Sequence, residues 1–127
     1  MRALVIDDSR AMRAILGKVL REIHIECVDA KHGGDGLASL EADPHVDFVL
    51  CDWHMPEMDG CEFIRAVRAH PTLKALPIIM VSSESEGGRV ATALEAGANE
   101  YIMKPFTPDA IMLKLQMLGL APPVDLA

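Results

Sequence analysis

A chain of 127 residues, half of them apolar and carrying a net charge of -7, has the size of one domain and enough apolar mass for a core without staples. The acidic balance argues against a nucleic-acid footprint, which needs clustered Lys and Arg, and against an anionic membrane surface. With only five aromatic residues, that core must be aliphatic, built from Val, Ile, Leu, Ala and eight Met.

Five short apolar runs punctuate the chain. The first, Ala3 to Ile6, meets Asp7 and Asp8 after four residues, which is no signal peptide. Ser9 then reads as the N-cap of a helix whose core stripe is Met12, Ile15, Leu16, Val19, Leu20 and Ile23. Ile25 to Val28 is the second run. A weaker helix follows, opened by Gly33, Gly34 and Gly36, with Leu37 and Leu40 inward and Asp43-Pro44 closing it. The third run, Phe48 to Cys51, ends at Asp52. Asp59 and Glu62 form a capping-box pattern for a helix carrying Ile64 and Val67. Ile78 to Val81 is the fourth run and ends at Ser82. Gly87-Gly88 precedes a short helix that stops near Gly97, as a C-terminal glycine does. The fifth run, Tyr101 to Met103, meets Lys104-Pro105-Phe106. Thr107-Pro108-Asp109 supplies an N-cap, a proline and an acid for the last helix. Residues 121–127 read as a tail or the start of a linker.

The runs are unbroken rather than alternating, as expected of strands covered on both faces. Five β-α units with short connections predict an α/β fold, a doubly wound parallel sheet with helices on both faces. Ligands in such sheets bind beyond the strands' carboxyl ends. No stretch is long enough for a membrane span, and the three cysteines, odd in number and without C-x-x-C spacing, fit a reducing compartment; both favour the cytoplasm. Cys51, inside an apolar run, is expected to be packed rather than paired.

The chemistry sits at strand ends. Asp7, Asp8 and Asp52 are hard oxygen donors suited to Mg²⁺ or Mn²⁺. Without a cation such carboxylates repel, and at least one pKa should rise. Asp52 ends the most apolar strand, and a carboxylate there can attack phosphorus to form an acyl phosphate. Lys104 is held extended by Pro105. Ser82 can donate its hydroxyl to a phosphoryl oxygen; Ser83 competes, but position favours Ser82. Taken singly, Asp7-Asp8 reads rather as a helix cap, Asp52 as a turn residue and Lys104 as a surface lysine.

In this order, the paired acids, D-x-x-M-P-x-M-D-G from Asp52 to Gly60, the serine and K-P-F resemble the receiver domain of bacterial two-component response regulators, of the stand-alone CheY-like kind. The resemblance runs from Arg2 to about Leu118, giving a receiver over residues 1–120. It implies strand order 2-1-3-4-5. It also implies that Asp52 is the phosphoacceptor, that Asp8 and Asp7 hold Mg²⁺ directly and through water, and that the His54 backbone carbonyl adds to the metal shell. Lys104 would pair with phosphoryl oxygens, Ser82 would move toward them, and Tyr101 would swing inward when it does. Without the resemblance Tyr101 reads as a static aromatic. The side chains of His54 and Glu84 would flank the phosphate and tune its lifetime.

On the last helix Ile111, Leu115 and Leu118 suit the core, while Leu113, Met117 and Leu120 form a second stripe. That stripe either packs against the neighbouring helix or, as the resemblance implies, joins the fourth helix, fifth strand and Tyr101 in a docking or dimer surface, giving a monomer or a phosphorylation-dependent dimer. The leading expectation is therefore a phosphorylation switch, charged by a histidine kinase or phosphotransfer protein and acting by protein contact. Chemotaxis is one compatible setting. A Mg²⁺-dependent aspartyl-phosphate phosphohydrolase is the enzyme alternative, but Asp7-Asp8-Ser9 lacks the D-x-D spacing such enzymes use. A constitutive interaction module is the third.

Overall fold

A computed structural model describes residues 1–55, 57–83, 90–104 and 106–120. The elements run β1 (Arg2–Ile6), α1 (Arg10–Glu22), β2 (Glu26–Ala30), α2 (Gly33–Ala42), β3 (Phe48–Asp52), α3 (Gly60–Ala69), β4 (Ile78–Ser82), α4 (Val90–Ala96), β5 (Glu100–Met103) and α5 (Pro108–Met117). All strand pairs are parallel, and the sheet order is β2-β1-β3-β4-β5. Every residue of β3 and β4 is buried, because side chains alternate between two covered faces. Val5, Phe48, Leu50, Ile79 and Val81 face the core that includes Leu16 and Leu20 of α1 and Ile111 and Leu115 of α5. Leu4, Ile6, Val49, Cys51, Ile78 and Met80 face the core beneath α2, α3 and α4. Cys51 and Cys61 are buried and Cys27 half-buried, all as free thiols.

Local chemistry sets the helix starts. Ser9 Oγ accepts from the Met12 N–H at 3.2 Å, and Thr107 Oγ1 from that of Ala110 at 3.2 Å. Asp59 and Glu62 make both bonds of the capping box, at 2.8 and 3.3 Å. For α2 the cap is His32, whose Nδ1 accepts from the Asp35 N–H at 3.0 Å. At Gly97 the backbone is left-handed (φ 119°), and the Gly97 and Ala98 N–H groups return to Leu94 and Ala93. Gly87 and Gly88 lie outside the described residues.

Three expectations need correction. Strand β2 begins at Glu26 and extends to Ala30, and it is only partly buried. It is an edge strand, so the unbroken-apolar rule does not govern it. Ile25 is instead buried in the turn that ends α1. Ile15 does not join the core of α1: it is 56% exposed. The sheet-facing stripe of α1 is Leu16, Gly17 and Leu20, and Ile15 lies one helical step, about 100°, to the side. Leu120 does not extend the outer stripe of α5. Its N–H turns back to the Leu115 carbonyl at 2.8 Å around Gly119, and it packs on the core as the residue after such a cap does.

The end of α1 carries an avoidable strain. The His24 and Ile25 N–H groups close onto Arg21 and Leu20, which puts His24 at the left-handed position with φ 63°. Glycine takes that conformation without a Cβ penalty. His24→Gly is expected to stabilise the fold by about 1 kcal/mol, read as a higher midpoint in urea at an unchanged slope.

Candidate functional site

The chain passes from β1 out to β2 and returns to β3 on the other side of β1, so the strand order reverses between β1 and β3. Ile6 pairs with Cys51 there, which brings Asp7 level with Asp52 just past the strand ends. Oxygens of Asp7, Asp8 and Asp52 lie within 4.8 Å of one another. Asp7 and Asp52 are 1% and 8% exposed, whereas Asp8 is open to solvent.

Lys104 binds this cluster from just past the end of β5. Its backbone N–H donates to the Ser82 carbonyl at 2.7 Å, which holds the chain at the sheet edge. Its Nζ donates to Asp7 Oδ2 and to Asp52 Oδ1, each at 3.2 Å. Asp52 Oδ1 also accepts from the Trp53 N–H at 2.9 Å, and Asp7 Oδ1 from that of Ser9 at 2.9 Å. One ammonium thus binds two carboxylates of a cluster of three. Burial, and then Asp7, push the Asp52 pKa up; Lys104 and the Trp53 N–H pull against them and lose. Burial opposes the charge on Lys104, but Asp52 and Asp7 outweigh it, and that pKa is raised.

The donor set fits a small hard divalent cation: the oxygens are carboxylate, the spacing is short, negative charge is in excess, and Asp8 leaves one side open for water. Among the described residues no other group of three or more such side chains converges.

Gly60 keeps the loop after β3 close. Its N–H donates to the Trp53 carbonyl at 2.9 Å, and a Cβ there would lie 2.6 Å from the Asp52 carbonyl oxygen. Trp53 is 7% exposed beside the acid, while the His54 side chain is exposed. Ser82 is buried at the end of β4, and its Oγ donates to Met103 Sδ at 3.5 Å, a weak acceptor. Tyr101 is half-buried, with Lys114 Nζ 4.6 Å from its ring centroid; that ammonium also pairs with Glu100 at 3.1 Å. Leu113 and Met117 are 57% and 61% exposed, and Leu94 of α4 adds to the exposed apolar residues. Glu84 lies outside the described residues.

Sequence reasoning missed Met103 as the partner of Ser82 and Arg13 as a support of Asp7. Arg13 Nη1 donates to the Asp7 carbonyl at 2.6 Å. It also missed an apolar recess of about 260 Å³ beside Lys104, lined by Met12, Ile15, Leu16, Val19 and Phe106. Placing Ile15 in the core hid the recess.

The response regulator receiver domain family model matches residues 3–116 of this chain. The chain belongs to that family. Its fold is thus that of a receiver domain. The receiver is 41% identical over 119 residues to chemotaxis protein CheY1 of Helicobacter pylori, covering 93% of this chain and 96% of that protein. It is 42% identical over 117 residues to a chemotaxis protein CheY homolog of Campylobacter jejuni, covering 91% and 90%. Among solved structures, Vibrio cholerae chemotaxis protein CheY4 superimposes with a TM-score of 0.82 at 30% identity, over 91% of this chain and 96% of that one. The receiver is accordingly a phosphorylation-controlled signalling switch, and the phosphohydrolase alternative is not favoured. No helix among the described residues is long and apolar enough to cross a membrane.

Proposed function

We propose that Asp52 accepts a phosphoryl group from a phosphohistidine on a histidine kinase or phosphotransfer protein, at a site completed by Mg²⁺, with Mn²⁺ as a substitute. The observation that carries this is Lys104 Nζ at 3.2 Å from both Asp7 and Asp52. The ammonium stands where new phosphoryl oxygens would need a partner. Asp7, Asp8 and the His54 carbonyl would hold the cation, which when bound offsets the negative charge of the incoming group.

An Asp52 oxygen bonds to phosphorus as the bond to the donor imidazole breaks, and Lys104 moves its hydrogen bonds to the phosphoryl oxygens. Burial of Asp52 limits water at the acyl phosphate, and the exposed His54 side chain tunes its lifetime, a role assigned to Glu84 as well. The domain's chemistry serves its own phosphorylation and dephosphorylation, not the turnover of a small molecule. A donor covering Lys104 would meet the apolar recess and Ile15.

The readout starts at Ser82. Its hydroxyl gives up a thioether and gains a charged phosphoryl oxygen, an exchange that favours the phosphorylated arrangement. Movement of Ser82 frees space into which the Tyr101 ring turns, leaving its place beneath Lys114. Tyr101, Leu113 and Met117, with Leu94, form the surface offered to a downstream protein or a second copy. The switch operates in the cytoplasm, and residues 1–120 make up the receiver.

Trp53 reports on this directly, since its N–H is bonded to Asp52. Titration with Mg²⁺, followed by beryllium fluoride as a phosphoryl mimic, is expected to change its fluorescence in two saturable steps. An unchanged spectrum at saturation contradicts the placement.

A further inference from the structure

We propose that Arg13 is the positioning residue for the metal-holding carboxylates, fixing the peptide unit that joins Asp7 to Asp8. The proposal rests on the reading of Asp7, Asp8 and Asp52 as a divalent-cation site. Arg13 reaches back from the first turns of α1, and its side chain is only 15% exposed. Nη1 donates to the Asp7 carbonyl at 2.6 Å, and Nε donates to Asp29 Oδ2 at 2.9 Å. The Asp7 N–H donates to the Ala30 carbonyl at 3.1 Å, one residue beyond Asp29. Both backbone groups of Asp7 are therefore held, the N–H by the backbone of β2 and the C=O by the guanidinium.

The carbonyl bond matters more than the ion pair. Asp29 is 59% exposed at its side chain, and such pairs contribute little. The Asp7 carbonyl belongs to the planar Asp7–Asp8 peptide unit, so holding that oxygen orients the backbone beneath both carboxylates. A guanidinium has the two-pronged reach to hold a carbonyl and a carboxylate together, which an ammonium lacks.

Charge and geometry predict opposite signs. A cation near a cation site weakens metal binding by Coulomb repulsion, so an Arg13 acting through charge alone would make Arg13→Met bind a divalent ion more tightly. It would leave Arg13→Lys unchanged. If Arg13 positions the carboxylates, both variants bind more weakly.

The test is Mn²⁺ titration of the whole chain, with free Mn²⁺ counted by electron paramagnetic resonance, on wild type, Arg13→Met, Arg13→Lys and Asp8→Asn. Thermal midpoints are taken without the ion. The expected result is a dissociation constant raised roughly tenfold in Arg13→Met and severalfold in Arg13→Lys, the scale on which groups behind a ligand act. A folded Arg13→Met that binds as tightly as wild type or more tightly overturns the proposal, as does a lowered midpoint with an unmoved constant. If Arg13→Met does not fold, Arg13→Lys decides the matter on the same criterion. Wild type that binds no better than Asp8→Asn overturns the cation-site reading itself, an outcome distinct from failure of Arg13 alone.

Discussion

Asp52→Asn is expected to make the cation-free protein more stable at neutral pH, while abolishing its capacity to be phosphorylated. The direction follows from the raised Asp52 pKa, driven by burial and by Asp7. A carboxyl whose pKa is higher in the folded state than in the unfolded chain favours folding in its protonated form. Well below its ordinary value of 3.8 the group is protonated in both states, and wild type and variant should be alike. As pH rises through 3.8 and then through the raised folded value, ionisation in the notch removes stability from wild type, and the asparagine is spared that loss. Lys104 keeps its bond to Asp7 in the variant, so its ammonium is not orphaned. Thermal melts in chelator from pH 3 to 8 check this: the midpoint gap should open with rising pH and be largest at neutrality. Added Mg²⁺ should close it, because a ligand that binds only the folded state stabilises it, by about 2.7 kcal/mol at a hundred times its dissociation constant. A gap that shrinks with pH in chelator would mean that Lys104 more than offsets the repulsion.

Gly60→Ala is expected to cost about 2 kcal/mol and to slow phosphorylation as well. The added Cβ would stand 2.6 Å from the Asp52 carbonyl oxygen and 2.9 Å from Met80 Cε. The methionine end can swing away; the strand backbone cannot, because Asp52 is registered against Val81 and Cys51 before it is paired with both Ile6 and Met80. The clash therefore moves either the start of α3 or the residue that bears the acid. Urea unfolding should give a lower midpoint, and single-turnover labelling with acetyl phosphate should be slower at saturating Mg²⁺. Labelling at the wild-type rate in a destabilised variant would confine the role of Gly60 to packing.

The sheet was legible because its central strands are buried on both faces and so read as unbroken Val, Ile, Leu and Cys. Caps at Ser9, Asp59 and Thr107 were legible because an N-cap is a local event within four residues. His32 was not, since imidazole serves that role only when its Nδ1 happens to face the helix start. The edge strand β2 was misplaced by one residue at its start and two at its end because half of it looks to solvent, and Ile15 and Leu120 were misassigned because apolar periodicity does not say which stripe faces the sheet. At the site, Asp7, Asp52, Ser82 and Lys104 announced themselves as polar groups ending apolar runs. Arg13 and Met103 did not. Each acts through a contact made by the fold, one across α1 to a backbone carbonyl and the other across the β4–β5 register to Ser82.

The most direct measurement is the location of the phosphoryl group. The whole chain is incubated with acetyl phosphate and Mg²⁺, the acyl phosphate is trapped by reduction with borohydride, and the modified residue is mapped by mass spectrometry in wild type and Asp52→Asn. The modification is expected at Asp52 in wild type and nowhere in the variant. Modification at Asp7, at Asp8 or at any other residue in a folded Asp52→Asn contradicts the account.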